Sequence, residues 1–135
     1  MRALLLPLGD EWRALDVSRV REVVAEPRPT ELPAGPDTVV GVFNLRGEIL
    51  PLFDVAVLLG LPPTEPMAFA VVVETCAGPA GLVASALPET RELGRQIEGG
   101  EGEQIDWRVD DRLVRLLDLD SLLGAASAAG GERAA

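Results

Sequence analysis

The strongest constraint on the fold is a repeat inside the chain. GEILPLFDVAVLLG, starting at Gly47, and DRLVRLLDLDSLLG, starting at Asp111, share Leu52 with Leu116, Asp54 with Asp118, Leu58 with Leu122, Leu59 with Leu123 and Gly60 with Gly124. Each copy reads as a short apolar strand, then an aspartate that caps a helix, then a helix stopped by glycine. Upstream, LLPLGDEWRALDV (Leu5 to Val17) and VVVETCAGPAGLV (Val71 to Val83) are each an apolar strand, a glycine-containing turn and a second strand. The spacing predicts one domain over residues 1–124, made of two similar β subdomains at about 1–61 and 67–124 and joined by the proline-rich PPTEP. Neither half is large enough to stand alone, so the two are expected to pack together and leave a groove between them for a partner. The last residues, 125–135, lack aromatic and branched side chains and read as a flexible tail.

Short apolar runs broken by Gly, Pro and Asp place strands at Ala3 to Leu8, Trp12 to Asp16, Arg19 to Val24, Val39 to Leu45 and Glu48 to Phe53. Further strands are expected at Ala68 to Glu74, Ala80 to Ser85, Ile105 to Val109 and Arg112 to Leu117. With 47% hydrophobic against 25% charged residues the chain has a globular balance, and 4% aromatics make the core aliphatic. Pro51, inside an apolar run, predicts an unpaired edge or a bulge there.

Several kinds of chemistry are excluded by what is missing. A net charge of −10 argues against nucleic acid and anionic membrane surfaces, both of which attract clustered cations. There is no histidine and no lysine, which removes the usual general base, phospho-histidine transfer, the P-loop and the Schiff base. The lone Cys76 forms no internal disulfide, fits a reducing cytoplasm, and follows VVVET as a buried apolar filler. The carboxylate pairs Asp110 with Asp111 and Glu101 with Glu103 lie in turn-like or Gly-rich surroundings and read as solvated surface. No apolar run is long enough to cross a bilayer, and MRALLLPLGDEW reads as a first strand and not as a signal peptide. No cofactor, metal or enzymatic activity is expected.

The joint between two of these strands carries the most specific signal. In GVFNLRGEILPLFDV, Val39 to Leu45 and Glu48 to Phe53 form a hairpin cornered on Arg46-Gly47, and the corner holds Arg46 away from the body. NLRGEILPLFDV resembles the signature of the CheW-like domain of bacterial chemotaxis, in the order V-x-N-L-R-G-x-apolar-apolar-P followed by Asp. The likeness runs through LGDEWRALDVSRVREVV, the proline-rich segment to Pro36 and RLVRLLDLDSLL, covering nearly all of the chain.

The resemblance implies an all-β fold of two intertwined, five-stranded SH3-like barrels with short helices. It implies a non-enzymatic cytoplasmic adaptor that joins the signalling tip of a chemoreceptor to the regulatory domain of a CheA-type histidine kinase, through separate surfaces. Carried over, the receptor-facing residues are Val17, Val20, Glu22 and Arg46, and the kinase-facing residues Gly41 and Val42. Glu22 and Arg46 are expected to form a charge-assisted pair at the edge of an apolar floor made by Val17 and Val20. The chain departs from the family in ETRELGRQIEGGEGEQIDWRV, which compresses the second barrel and places Trp107 as its core plug. A shortened second barrel suggests, as an alternative, an accessory homologue with only one of these partners or a different one.

Overall fold

The structure, a computed structural model, describes residues 1–32, 39–94 and 106–124. Along the chain run β1 (Arg2–Leu8), β2 (Glu11–Asp16), a 3-10 turn (Val17–Arg19), β3 (Val20–Ala25), β4 (Val39–Leu45) and β5 (Glu48–Phe53). A one-turn helix α1 (Val55–Leu58) follows, then β6 (Phe69–Thr75), β7 (Gly78–Ala84), β8 (Glu89–Glu92), β9 (Asp106–Val109) and β10 (Arg112–Leu116), with a second helix at 119–124. Both helices begin as the repeat predicts. Asp54 accepts from Ala56 N at 3.1 Å, and Asp118 from Ser121 N at 3.2 Å. β8 is the strand the sequence did not announce, because ETRE has no apolar alternation and pairs on one flank only.

The strands form two five-stranded sheets, ordered β8-β1-β2-β10-β9 and β3-β6-β7-β5-β4. The orders superpose term by term. In each, an antiparallel hairpin (β1-β2 or β6-β7) lies beside a strand that joins it in parallel, β10 at Leu116↔Ala14 and β5 at Leu52↔Gly81. The repeat is therefore real, but the expected division of the chain at 61–67 is not the division of the sheets. The hairpin of the first half sits with β8, β9 and β10 of the second, and the hairpin of the second half with β3, β4 and β5 of the first. Intertwining is thus an exchange of hairpins. The compressed region still supplies an edge strand on each side of its sheet, although β8 and β9 have only four residues each; residues 95–105, the middle of that region, and the tail 125–135 lie outside the described residues.

Alternation along β1 and β6 explains where the core sits. Leu4, Leu6 and Leu8 of β1, with Val71 and Val73 of β6, point into a core shared by both barrels, together with Leu15, Phe53, Leu82, Leu117, Leu119 and Leu123. The other faces of the same strands fill the barrel interiors. Ala70 and Val72 pack with Phe43, Leu50 and Val83, whereas Ala3 and Leu5 pack with Ala14, Trp107 and Val114. A strand buried on both faces needs apolar residues at successive positions, and LLL and VVV supply them. Trp107 is buried, and its Nε1 donates to Gly94 O at 3.3 Å, so it is the expected plug.

Two local expectations are resolved by register. Val42 N and O bond to Thr30 O and N, so the matching face of its partner Pro51 turns toward β7, and the β5–β7 ladder begins only at Leu52. The missing proline N–H falls where no ladder bond is required. Cys76, expected as a core filler, is exposed: β6 ends at Thr75, and Cys76-Ala77 is the tight turn into β7.

Candidate functional site

The hairpin corner between β4 and β5 is a two-residue turn closed by Leu45↔Glu48. Both corner residues adopt positive φ, 49° at Arg46 and 90° at Gly47, the geometry that matches the twist of the strands. Gly47 takes this without a Cβ penalty; Arg46 is held in it by the turn, and Asn44 Oδ1 accepts from Gly47 N at 2.7 Å. The guanidinium is therefore carried on a braced corner.

Across the open seam of the barrel stands β3. Its pairing with β6 shifts register between Val20 and Glu22, a bulge at Arg21 that re-aims the side chains beside it. Glu22 receives Arg46 in a two-pronged pair: Nη1 donates to Oε1 at 3.1 Å and Nη2 to Oε2. Arg46 remains 71% exposed while Glu22 is 27% exposed, so the cation faces outward and the carboxylate sits behind it. The Arg46 guanidinium holds the Glu22 carboxyl below the usual range, and Glu22 in turn raises Arg46. Arg21 adds a second set of bonds, to Glu48 Oε2 at 3.2 Å on β5 and to Glu74 on β6. Charges of alternating sign thus connect β6, β3 and the β4–β5 corner.

Val17 and Val20 flank the 3-10 turn just before β3, and both are half-buried. Val20 packs against the shared core, so only part of it is left for a partner, and Val17 opens the turn. Gly41 and Val42 lie toward the other end of β4, about 15 Å from Arg46 at strand rise. Gly41 is buried, and a Cβ there would stand 2.3 Å from Thr30 O. Glycine is needed so that the Thr30 segment can lie along β4. Val42, half-exposed, uses its backbone for that same bridge.

Four features were not legible from the sequence. Arg21 and Asn44 brace the corner, and Arg19 reaches Asp120, which is far away along the chain. Only the alternating charges of SRVRE and the N-L-R-G order hinted at the first two. Asp54, expected only as a cap, also accepts from Thr64 N at 2.9 Å and Thr64 Oγ1 at 2.7 Å, which fastens the PPTEP connector to α1. Among the described residues no cluster of His, Cys, Asp and Glu is arranged to hold a metal, and no helix is long and apolar enough to cross a membrane.

These observations define a class: a duplicated β-barrel domain with exchanged hairpins and one rigid, outward-facing cationic corner. The chain belongs to the CheW-like domain family, whose model matches residues 2–127. It is 28% identical over 128 residues to the probable chemotaxis protein CheW of Rhizobium etli and 27% identical over 127 residues to the chemotaxis protein CheW of Rhizobium meliloti. Both comparisons cover 85% of this chain and 82% of the relative. Protein PilI of Pseudomonas aeruginosa is 37% identical over 78 residues, 56% of this chain and 44% of PilI. The crystal structure of the scaffolding protein TtCheW from Thermoanaerobacter tengcongensis has the same fold, with a TM-score of 0.79 at 23% identity, covering 90% of this chain and 86% of that one.

Proposed function

We propose that this chain is a non-enzymatic, cytoplasmic scaffold of chemosensory signalling that couples the signalling tip of a chemoreceptor to the regulatory domain of a CheA-type histidine kinase. Family membership over residues 2–127 supports the signalling role. The observation that carries the site is the Glu22–Arg46 pair, a carboxylate braced behind an exposed guanidinium at the corner of the N-L-R-G hairpin. A helical receptor tip presents its own carboxylates and amides to such a corner and rests its apolar side on Val17 and Val20. Val42, on the far part of β4, belongs to a separate surface that serves the kinase. Among the described residues acid–base catalysis draws no support from the carboxylates: those displaced from their ordinary range, Asp16, Glu22 and Asp120, are all shifted down, by hydrogen bonds and arginine, whereas a general acid is shifted up.

Calorimetric titration against a receptor signalling fragment and against the kinase regulatory domain, each at two salt concentrations, tests the proposal. Both are expected to bind, and the receptor contact is expected to weaken with salt. Arg46→Glu is expected to lower receptor affinity by about tenfold or more while leaving the kinase contact in place. Unchanged receptor affinity in a folded Arg46→Glu variant would remove the site assignment. Binding to only one of the two proteins would make the chain an accessory member of the family.

A further inference from the structure

The 3-10 turn Val17–Arg19 buries none of its residues. Its internal bonds, from Ser18 N to the Asp16 carboxylate at 3.0 Å and from Val20 N to Val17 O, fix its shape but not its place on the body. Arg19 supplies the place. Its Nε donates to Glu74 O at 3.0 Å, near the end of β6, and its Nη2 to Asp120 Oδ1 at 2.7 Å. The same carboxylate oxygen accepts Cys76 N at 3.0 Å, in the β6–β7 turn. Asp120 is itself anchored, because Leu119 and Leu123 on either side of it are 4% and 3% exposed in the shared core.

One carboxylate therefore ties together the crossover between the sheets, the tip of the exchanged hairpin and the second helix. We propose that Asp120 is a positioning residue for the receptor-facing surface: through Arg19 it fixes the 3-10 turn and so sets where Val17 and Val20 stand relative to the Glu22–Arg46 corner. The proposal rests on the reading of that surface given above. The ends of the turn are held by the pairings Ala3↔Asp16 and Val20↔Val73, and between them, with no side chain of the turn buried, Arg19 makes the side-chain tie to the body. Because Val20 is also the first residue of β3, movement of the turn is passed to the strand that carries Glu22.

Hydrogen exchange and titration of Asp120→Ala and Asp120→Asn test it. Asparagine keeps an acceptor for Cys76 and Arg19 without the charge, so it separates the hydrogen bonds from the ion pair. In Asp120→Ala, exchange at Ser18 N and Val20 N is expected to accelerate and receptor-fragment affinity to fall about five- to tenfold, with kinase-domain affinity unchanged. Asp120→Asn is expected to recover most of that loss. Parental protection at Ser18 and Val20 in the alanine variant, or an equal loss of receptor and kinase affinity, would overturn the proposal. If the parent chain binds no receptor fragment, the reading of the surface fails, while the exchange measurement still decides whether Asp120 holds the turn.

Discussion

The two barrels build the same corner from different charges. The registers Leu52↔Gly81 and Leu116↔Ala14 align them residue by residue, as do the turn closures Leu45↔Glu48 and Val109↔Arg112. In this frame Phe43 opposite Leu50 matches Trp107 opposite Val114, and Glu22 opposite Val72 matches Glu89 opposite Leu5. The corner residues Arg46 and Asp110 also match, and both have φ of 49°. At the first corner a strand carboxylate meets a turn cation. At the second, strand and turn both carry carboxylates, and Arg91 joins them, donating to Glu89 at 3.1 Å and to Asp110 at 2.8 Å. Either arrangement brings a hairpin across the seam to the opposite edge strand. What differs is what faces outward, a guanidinium on one barrel and a carboxylate on the other, so the fold's need for a clasp does not dictate an exposed arginine.

The largest effects should come from what the barrels share. Phe43→Ala and Trp107→Ala each remove the aromatic plug of one barrel interior, and each is expected to cost about 3–5 kcal/mol in urea denaturation. A large loss from one and a small loss from the other would show that the barrels are not energetically equivalent. A smaller effect should separate the corners. Asp110→Arg places a cation next to Arg91 and is expected to lower the melting temperature by only a few degrees with receptor affinity unchanged, in contrast to Arg46→Glu; an equal loss of receptor affinity from both would break the distinction between the corners.

The smallest effect concerns a contact with no counterpart. Asp120 matches Ala56 in the repeat, so the Arg19 tie exists once. Arg19, with the Cys76 N–H, holds the Asp120 carboxyl at about 2, below its ordinary value of 3.8. A pKa lowered in the folded state adds stability above the unfolded value and loses it as pH falls through the folded one. The melting temperatures of the parent and Asp120→Asn are therefore expected to differ most above pH 4 and to converge as pH falls from about 4 to about 2. A constant offset across that range would show that the charge adds no stability beyond the hydrogen bonds of the tie.

Much of this fold was readable because its periodicities are local. Apolar runs, Asp caps and Gly stops gave nine strands, both helix starts and the duplication. The exchange of hairpins was not readable from the repeat itself, since identical repeat units can pack within or between halves with the same local pattern. β8 escaped because an edge strand of charged residues has no alternation to betray it, and Cys76 was misplaced because the buried run Val71 to Val73 drew it into the strand, whereas Glu74 and Thr75 already lead out of the core to the turn. At the candidate site, Glu22 and Arg46 were expected together and are together. The need for glycine at position 41 was not readable, because it comes from Thr30, a contact from outside the hairpin that leaves no mark on the local pattern.

The exchanged hairpins also set the order in which the chain can mature. β1 and β2 leave the ribosome well before the strands that complete their sheet, β8 and β10, the latter at Arg112–Leu116. The amino terminus itself is tied to Leu93, with Met1 N donating to Leu93 O at 2.9 Å and Leu93 N to Met1 O at 2.7 Å. During synthesis the first hairpin must therefore wait, with β1 apolar on both faces, while the sheet of β3 to β7 assembles. A topology with such distant pairings folds slowly for its size and offers the waiting hairpin to chaperones or to other nascent copies.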